Sequence, residues 1–189
     1  MDGEALVKWT RRIIESYFSG EDIEPDIEGY AGVFVTLTKN GELRGCIGIP
    51  FPMELKQALK EAALGAINDP RFPPVTPDEL DDICIEVSVL TPPEAVENPL
   101  KEIEVGKHGV IIQWGPYSGL LLPQVPVEYN WGLEEFLDNA CLKAGLPPGF
   151  WKNRDVKIYR FEARIFKEVE PGGKVVERDL KGEMKKYEE

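Results

Sequence analysis

The chain has 189 residues, 42% of them hydrophobic, enough for one good core and near the upper end of single-domain length, so one compact domain or two interlocked lobes are expected. Its 34 acidic residues against 22 basic ones give a formal charge of -12, a field that repels phosphate backbones and argues against a nucleic-acid partner. No apolar stretch is long enough to span a bilayer, and the acidic opening around Asp2 and Glu4 lacks the form of a secretion signal, so no membrane association is expected.

Cys46, Cys84 and Cys141 are odd in number, widely spaced and without a C-x-x-C pair, which suggests neither a disulfide framework nor a thiolate zinc site. A reducing cytoplasm is the expected compartment. The Glu- and Lys-rich composition, poor in His and Met, resembles that of heat-adapted proteins and suggests a thermophile.

Leu6, Trp9, Ile13 and Tyr17 recur at helical spacing and predict an amphipathic helix that Gly20 ends. Past an acidic loop around Pro25, Val33 to Thr38 and Glu42 to Ile49 flank Asn40-Gly41, a two-residue hairpin turn. Pro50 and Pro52 are expected to stop the second strand. Leu55, Ala58, Leu59, Ala62, Ala66 and Ile67 mark a second helix ending at Asn68-Asp69-Pro70. Thr76-Pro77-Asp78-Glu79 has the form of a capping box and starts a short helix. Ile83 to Leu90 reads as a strand with one wholly apolar face, interrupted on the other by Glu86.

Val110 to Trp114 and Leu120 to Leu122 flank a Gly-Pro loop as a second hairpin. Phe136, Leu137, Ala140, Cys141 and Ala144 form a helical stripe stopped by Gly145, and Val156 to Phe166 is a long strand with Tyr159, Phe161, Ala163 and Ile165 inward. Residues 168–189 read as a charged tail, a ragged hairpin or a mobile segment. Hairpins outnumber βαβ units, so the expected class is α+β, with antiparallel sheets covered by helices.

Leu43-Arg44-Gly45-Cys46-Ile47-Gly48 is the most informative segment. Counting outward from Asn40-Gly41 sets Cys46 opposite Val35 and Arg44 opposite Leu37, on one face. Gly45 and Gly48 weaken a strand interior and mark a bulge or a close approach of backbone or ligand. Two readings follow. In one, the glycines open space beside a thiol that Arg44 makes more acidic, a reactive nucleophile. In the other, Cys46 is a small buried hydrophobe beside a structural ion pair. Glu86 is either an edge device or an acid brought to a cleft, and the favoured partner for Arg44 is Glu86. His108, the single histidine, is the available imidazole base if Cys46 is catalytic. Phosphate-loop, Rossmann, zincin and serine-hydrolase motifs are absent from the sequence, and no closed metal site is suggested, while an open Cys/His/Glu arrangement stays an alternative.

The hexapeptide matches without departure the signature of the AMMECR family, the AmmeMemoRadiSam system protein A group, which the chain resembles over roughly Ala5 to Phe166. Asp69-Pro70-Arg71-Phe72-Pro73-Pro74, Glu86 to Leu90, Lys107-His108-Gly109, Leu121 to Val125 and Cys141 to Leu146 resemble the family too. The resemblance implies a domain over 1–167 of two lobes, each an antiparallel sheet covered by helices, with a middle lobe of roughly 50–123 and a groove lined by Cys46 and Arg44. Arg44, Gly45, Gly48, Arg71 and Gln124, which stand in these stretches, are the candidate substrate-binding residues, and the reading of the residues themselves makes Cys46, Glu86 and His108 the catalytic candidates. The family has no established activity or cofactor. Its association with Memo-like and radical-SAM proteins suggests a modification system acting on a protein or peptide; the alternative is a non-catalytic binding or adaptor module.

Overall fold

A computed structural model describes residues 1–186. In chain order the elements are α1 (Gly3–Ser19), β1 (Tyr30–Lys39), β2 (Glu42–Glu54), α2 (Leu55–Ile67), a 3-10 turn (Pro77–Asp82), β3 (Ile83–Leu90), β4 (Glu94–Val96), α3 (Pro99–Glu102), β5 (His108–Trp114), β6 (Tyr117–Leu121), α4 (Gln124–Glu128), α5 (Leu133–Lys143), β7 (Lys157–Glu168), β8 (Val175–Glu177) and α6 (Leu180–Lys185). Every strand pairing detailed below is antiparallel, and the class is α+β as expected. Among the described residues no helix is long and apolar enough to cross a membrane.

The described residues form two compact units, Met1–Pro92 with Arg164–Arg178, and Pro93–Ala163 with 179–186. The chain passes from one unit to the other at Pro92/Pro93, again within β7 and once more after Arg178. β7 contributes its first residues to the second unit and its last to the first.

In the first unit the order is β2-β1-β3-β7, with β8 also paired with β7, so β2 lies at an edge of the sheet. Asn40 and Gly41 both take positive φ, as a two-residue hairpin turn requires. Val33, Val35 and Leu37 of β1 face Ile49, Ile47 and Gly45 of β2 and Val89, Val87 and Ile85 of β3. This apolar face packs with Leu6, Ile13 and Ile14 of α1 and Ala58, Leu59, Ala62 and Ala66 of α2 into one core. Tyr17, expected on the α1 stripe, is half exposed.

Two features matter. Pro50 and Pro52 do not end β2; they lie where the register jumps from Val33↔Ile49 to Ala31↔Met53, a bulge on an edge strand where a missing N–H costs no ladder bond. Of the alternatives for the charged segment, the hairpin is the one the fold holds: β8 pairs with β7, and Glu168 is buried, accepting Arg11 Nε and Nη2 at 2.8 and 2.7 Å and the amide of Ile85 at 3.2 Å.

In the second unit β5 pairs with both β6 and β7, and β4 pairs with β7. Val110, Ile112 and Ile158 pack against Phe136, Leu137, Ala140 and Cys141 of α5, the stripe the sequence marks out.

Candidate functional site

The hairpin register differs from a count outward from the turn. Thr38 faces Leu43 but Leu37 faces Gly45, so Arg44 is an extra, bulged residue and the positions from Gly45 to Ile49 slip by one. Because side chains alternate, that slip moves Cys46 off the core face. It stands opposite Thr36 instead of Val35, and Thr36 in turn stands opposite Glu86 on β3.

The result is a row, Cys46–Thr36–Glu86, across three strands on the face turned away from α1 and α2. Phe34, Gly48, Ser88, Thr38 and Cys84 share that face, which apart from the Phe34 ring is mostly polar where the other is aliphatic. Cys46 Sγ lies 3.3 Å from Thr36 Oγ1. Glu86 Oε1 accepts from Arg178 Nη1 at 2.9 Å, with both side chains nearly buried.

The main chain of Cys46 is held from the open edge of the sheet. Its N–H donates to Asp69 Oδ2 at 2.9 Å and its carbonyl accepts from Arg71 Nη2 at 3.3 Å. Arg71 forks Asp69 through Nε at 3.1 Å and Nη2 at 2.7 Å, and Asp69 Oδ1 also accepts the Arg71 amide at 3.0 Å. The Arg71 guanidinium, aided by the Cys46 amide, holds the buried Asp69 carboxyl well below the usual carboxylate range. Asp69 reaches this place because α2 stops at Ile67.

Arg44 does not face the thiol or Glu86. Bulged outward, it forks Glu79 through Nε at 2.9 Å and Nη2 at 3.1 Å and donates Nη1 to the carbonyl of Pro73 at 2.8 Å. The expected Arg44–Glu86 pair is thus replaced by Arg44–Glu79 and Arg178–Glu86. Nor is Cys46 acidified: burial pushes its thiol pKa above the ordinary value, against smaller opposing effects of Thr36 and Arg71.

The two glycines do not leave open space. A Cβ on Gly45 would overlap the carbonyl oxygen of Ala66 at the end of α2, and one on Gly48 would overlap the ring of its cross-strand neighbour Phe34. Both sites are occupied by this chain's own atoms.

His108 and Gln124 belong to the second unit. His108 is buried, and its Nδ1 accepts the amide of Glu104 at 3.0 Å, which leaves the neutral ring's proton on Nε2. Burial, with Arg160 and Lys107 nearby, lowers its pKa. Gln124 is buried at the start of α4. Among the described residues no group of three or more His, Cys, Asp or Glu is arranged to hold a metal ion. Four residues of the site escape a reading of single residues: Thr36, Asp69, Glu79 and Arg178. Asp69 stands within a family-like stretch, whereas nothing local marks Arg178.

Comparison with known proteins gives a consistent picture. Residues 7–166 match the family profile described as AMMECR1. A protein of Methanocaldococcus jannaschii is 53% identical, the match covering 95% of this chain and 96% of that protein. One from Pyrococcus abyssi is 49% identical over 94% and 96%. The crystal structure of an uncharacterized protein from Pyrococcus horikoshii superimposes with a TM-score of 0.88 at 48% identity, covering 94% of this chain and 96% of that one.

Proposed function

The chain belongs to the AMMECR1 family, and on that premise we propose that it is the polypeptide-holding component of a modification system, binding a protein or peptide segment on the polar sheet face without itself carrying out the chemistry. One observation carries this reading: the surroundings of Cys46 suit a neutral thiol. Burial disfavours the thiolate, Arg44 is committed to Glu79, and the neighbour within hydrogen-bonding distance is a hydroxyl, not a base. His108 is a poor candidate for that base, because its one acceptor nitrogen is used by the Glu104 amide. The face also balances its charge. Asp69 is matched by Arg71 and Glu86 by Arg178, which suits an uncharged polar segment better than a phosphate or a strongly ionic ligand.

The partners to try are the Memo-like and radical-SAM proteins that the family association suggests. Binding to each is measured by calorimetry with the unaltered chain, Cys46→Ser and Thr36→Val, together with the output of the reconstituted system. Cys46→Ser should keep both binding and output, and Thr36→Val should weaken binding. Output abolished by Cys46→Ser with binding intact would replace this reading with nucleophilic catalysis.

A further inference from the structure

The matched family profile ends at residue 166, yet the ion partner of Glu86 comes from residue 178. β8 lies antiparallel on β7, with Phe166 opposite Glu177 and Glu168 opposite Val175. The turn between them is closed by the Val169 amide on the Lys174 carbonyl at 2.8 Å and by the Gly172 amide on Glu168 Oε2 at 3.1 Å. Arg164 forks Glu177 at 2.8 and 3.0 Å. Beyond the strand, the Arg178 amide donates to the Ile165 carbonyl at 2.8 Å, which fixes the residue's main chain against β7. Its guanidinium then reaches Glu86, where the side chains of Arg178 and Glu86 are only 8% and 12% exposed.

We infer that this post-domain hairpin completes the candidate site, with Arg178 as a positioning residue that fixes the Glu86 carboxylate beside Thr36 in the row leading to Cys46. The inference rests on the polar face being the working surface. A nearly buried carboxylate needs a counter-charge, and without one it would turn to solvent or disturb the row. Because the row is continuous, Thr36 lying opposite both Glu86 and Cys46, the state of Glu86 is felt at the thiol. The Glu86 charge accordingly opposes thiolate formation, in addition to the larger effect of burial.

The test uses the full chain with Cys84 and Cys141 replaced by Ala, so that Cys46 is the reporter. Alkylation rate by iodoacetamide is followed against pH in this background and with Arg178→Gln, Arg178→Lys, Glu86→Gln and the Arg178→Gln/Glu86→Gln pair. Arg178→Gln should move the half-point to higher pH, Arg178→Lys should restore most of it, and Glu86→Gln should move it lower, alone or with Arg178→Gln. A half-point that stays put in every variant, even where stability falls, would make the pair a fold contact only and overturn the inference. Partner binding on the same proteins separates the two levels: Arg178→Gln should weaken it about tenfold. Loss of binding with Thr36→Val but not with Arg178→Gln sinks the role of Arg178 alone. Binding indifferent to both substitutions sinks the reading of the face itself.

Discussion

Replacing Glu79 by Gln should destabilise the protein at neutral pH and lose that effect in acid. The carboxylate takes the Arg44 fork, Lys39 Nζ at 3.1 Å and the Thr76 amide at 2.7 Å. The Arg44 fork above all, with the Thr76 amide and Lys39, draws its pKa from 4.5 to about 2. By linkage such a depression is worth about 3 kcal/mol at neutral pH. Residual solvent around the cluster reduces this to about 2 kcal/mol. The folded-state pKa is the lower one, so the contribution is complete above 4.5 and disappears as pH falls through that value toward about 2. Gln keeps the shape and one acceptor, so packing changes little. Urea unfolding of both proteins, followed by tryptophan fluorescence at about pH 7 and about pH 2.5, compares the two free energies. A gap of the same size at both pH values would refute the electrostatic account and assign the effect to packing.

Glu168→Gln should cost about 3–5 kcal/mol, because it leaves the Arg11 guanidinium without its counter-charge in a buried place; a loss below about 1 kcal/mol in the same denaturant assay would mean that Arg11 finds another acceptor. Gly45→Ala forces a methyl against the Ala66 carbonyl and should cost at least about 1–3 kcal/mol, seen as a lower thermal midpoint, with an unchanged midpoint showing that α2 can retreat freely. His108 is kept neutral by burial and by the Glu104 amide, with a folded-state pKa below 6.5, so the protein should lose stability as pH drops below that value. His108→Asn, which retains an acceptor but does not titrate, should flatten that acid limb; an identical slope in both proteins would place the proton uptake elsewhere.

Much of the fold is written locally. Asn40-Gly41 supplies the positive φ values its turn needs, and Thr76 does meet Glu79, with its amide and hydroxyl both donating to Glu79 Oε2. The stripes of α2 and α5 are buried as their spacing requires. What fails is what depends on a single inserted residue or on a distant partner. The glycines near Arg44 signal a bulge without saying which residue is extra, and one residue decides whether Cys46 meets Val35 or Thr36. Arg44 and Glu79 are 35 residues apart, and Glu86 and Arg178 are 92 apart, so only the assembled sheet can select these pairs over Arg44 with Glu86. The charge-rich composition after Lys167 likewise hides that Glu168 points inward.

An unpaired strand margin invites another chain to add itself, and β2 offers a 13-residue one. Here the invitation is withdrawn at two places. Asp69 and Arg71 receive the outward amide and carbonyl of Cys46 much as an incoming strand would, and Pro50 and Pro52 bring no N–H to the margin at all. The arrangement that poises a cysteine beside a polar surface is therefore also a guard against stacking of one molecule's sheet onto the next, and selection for either property would retain the same residues.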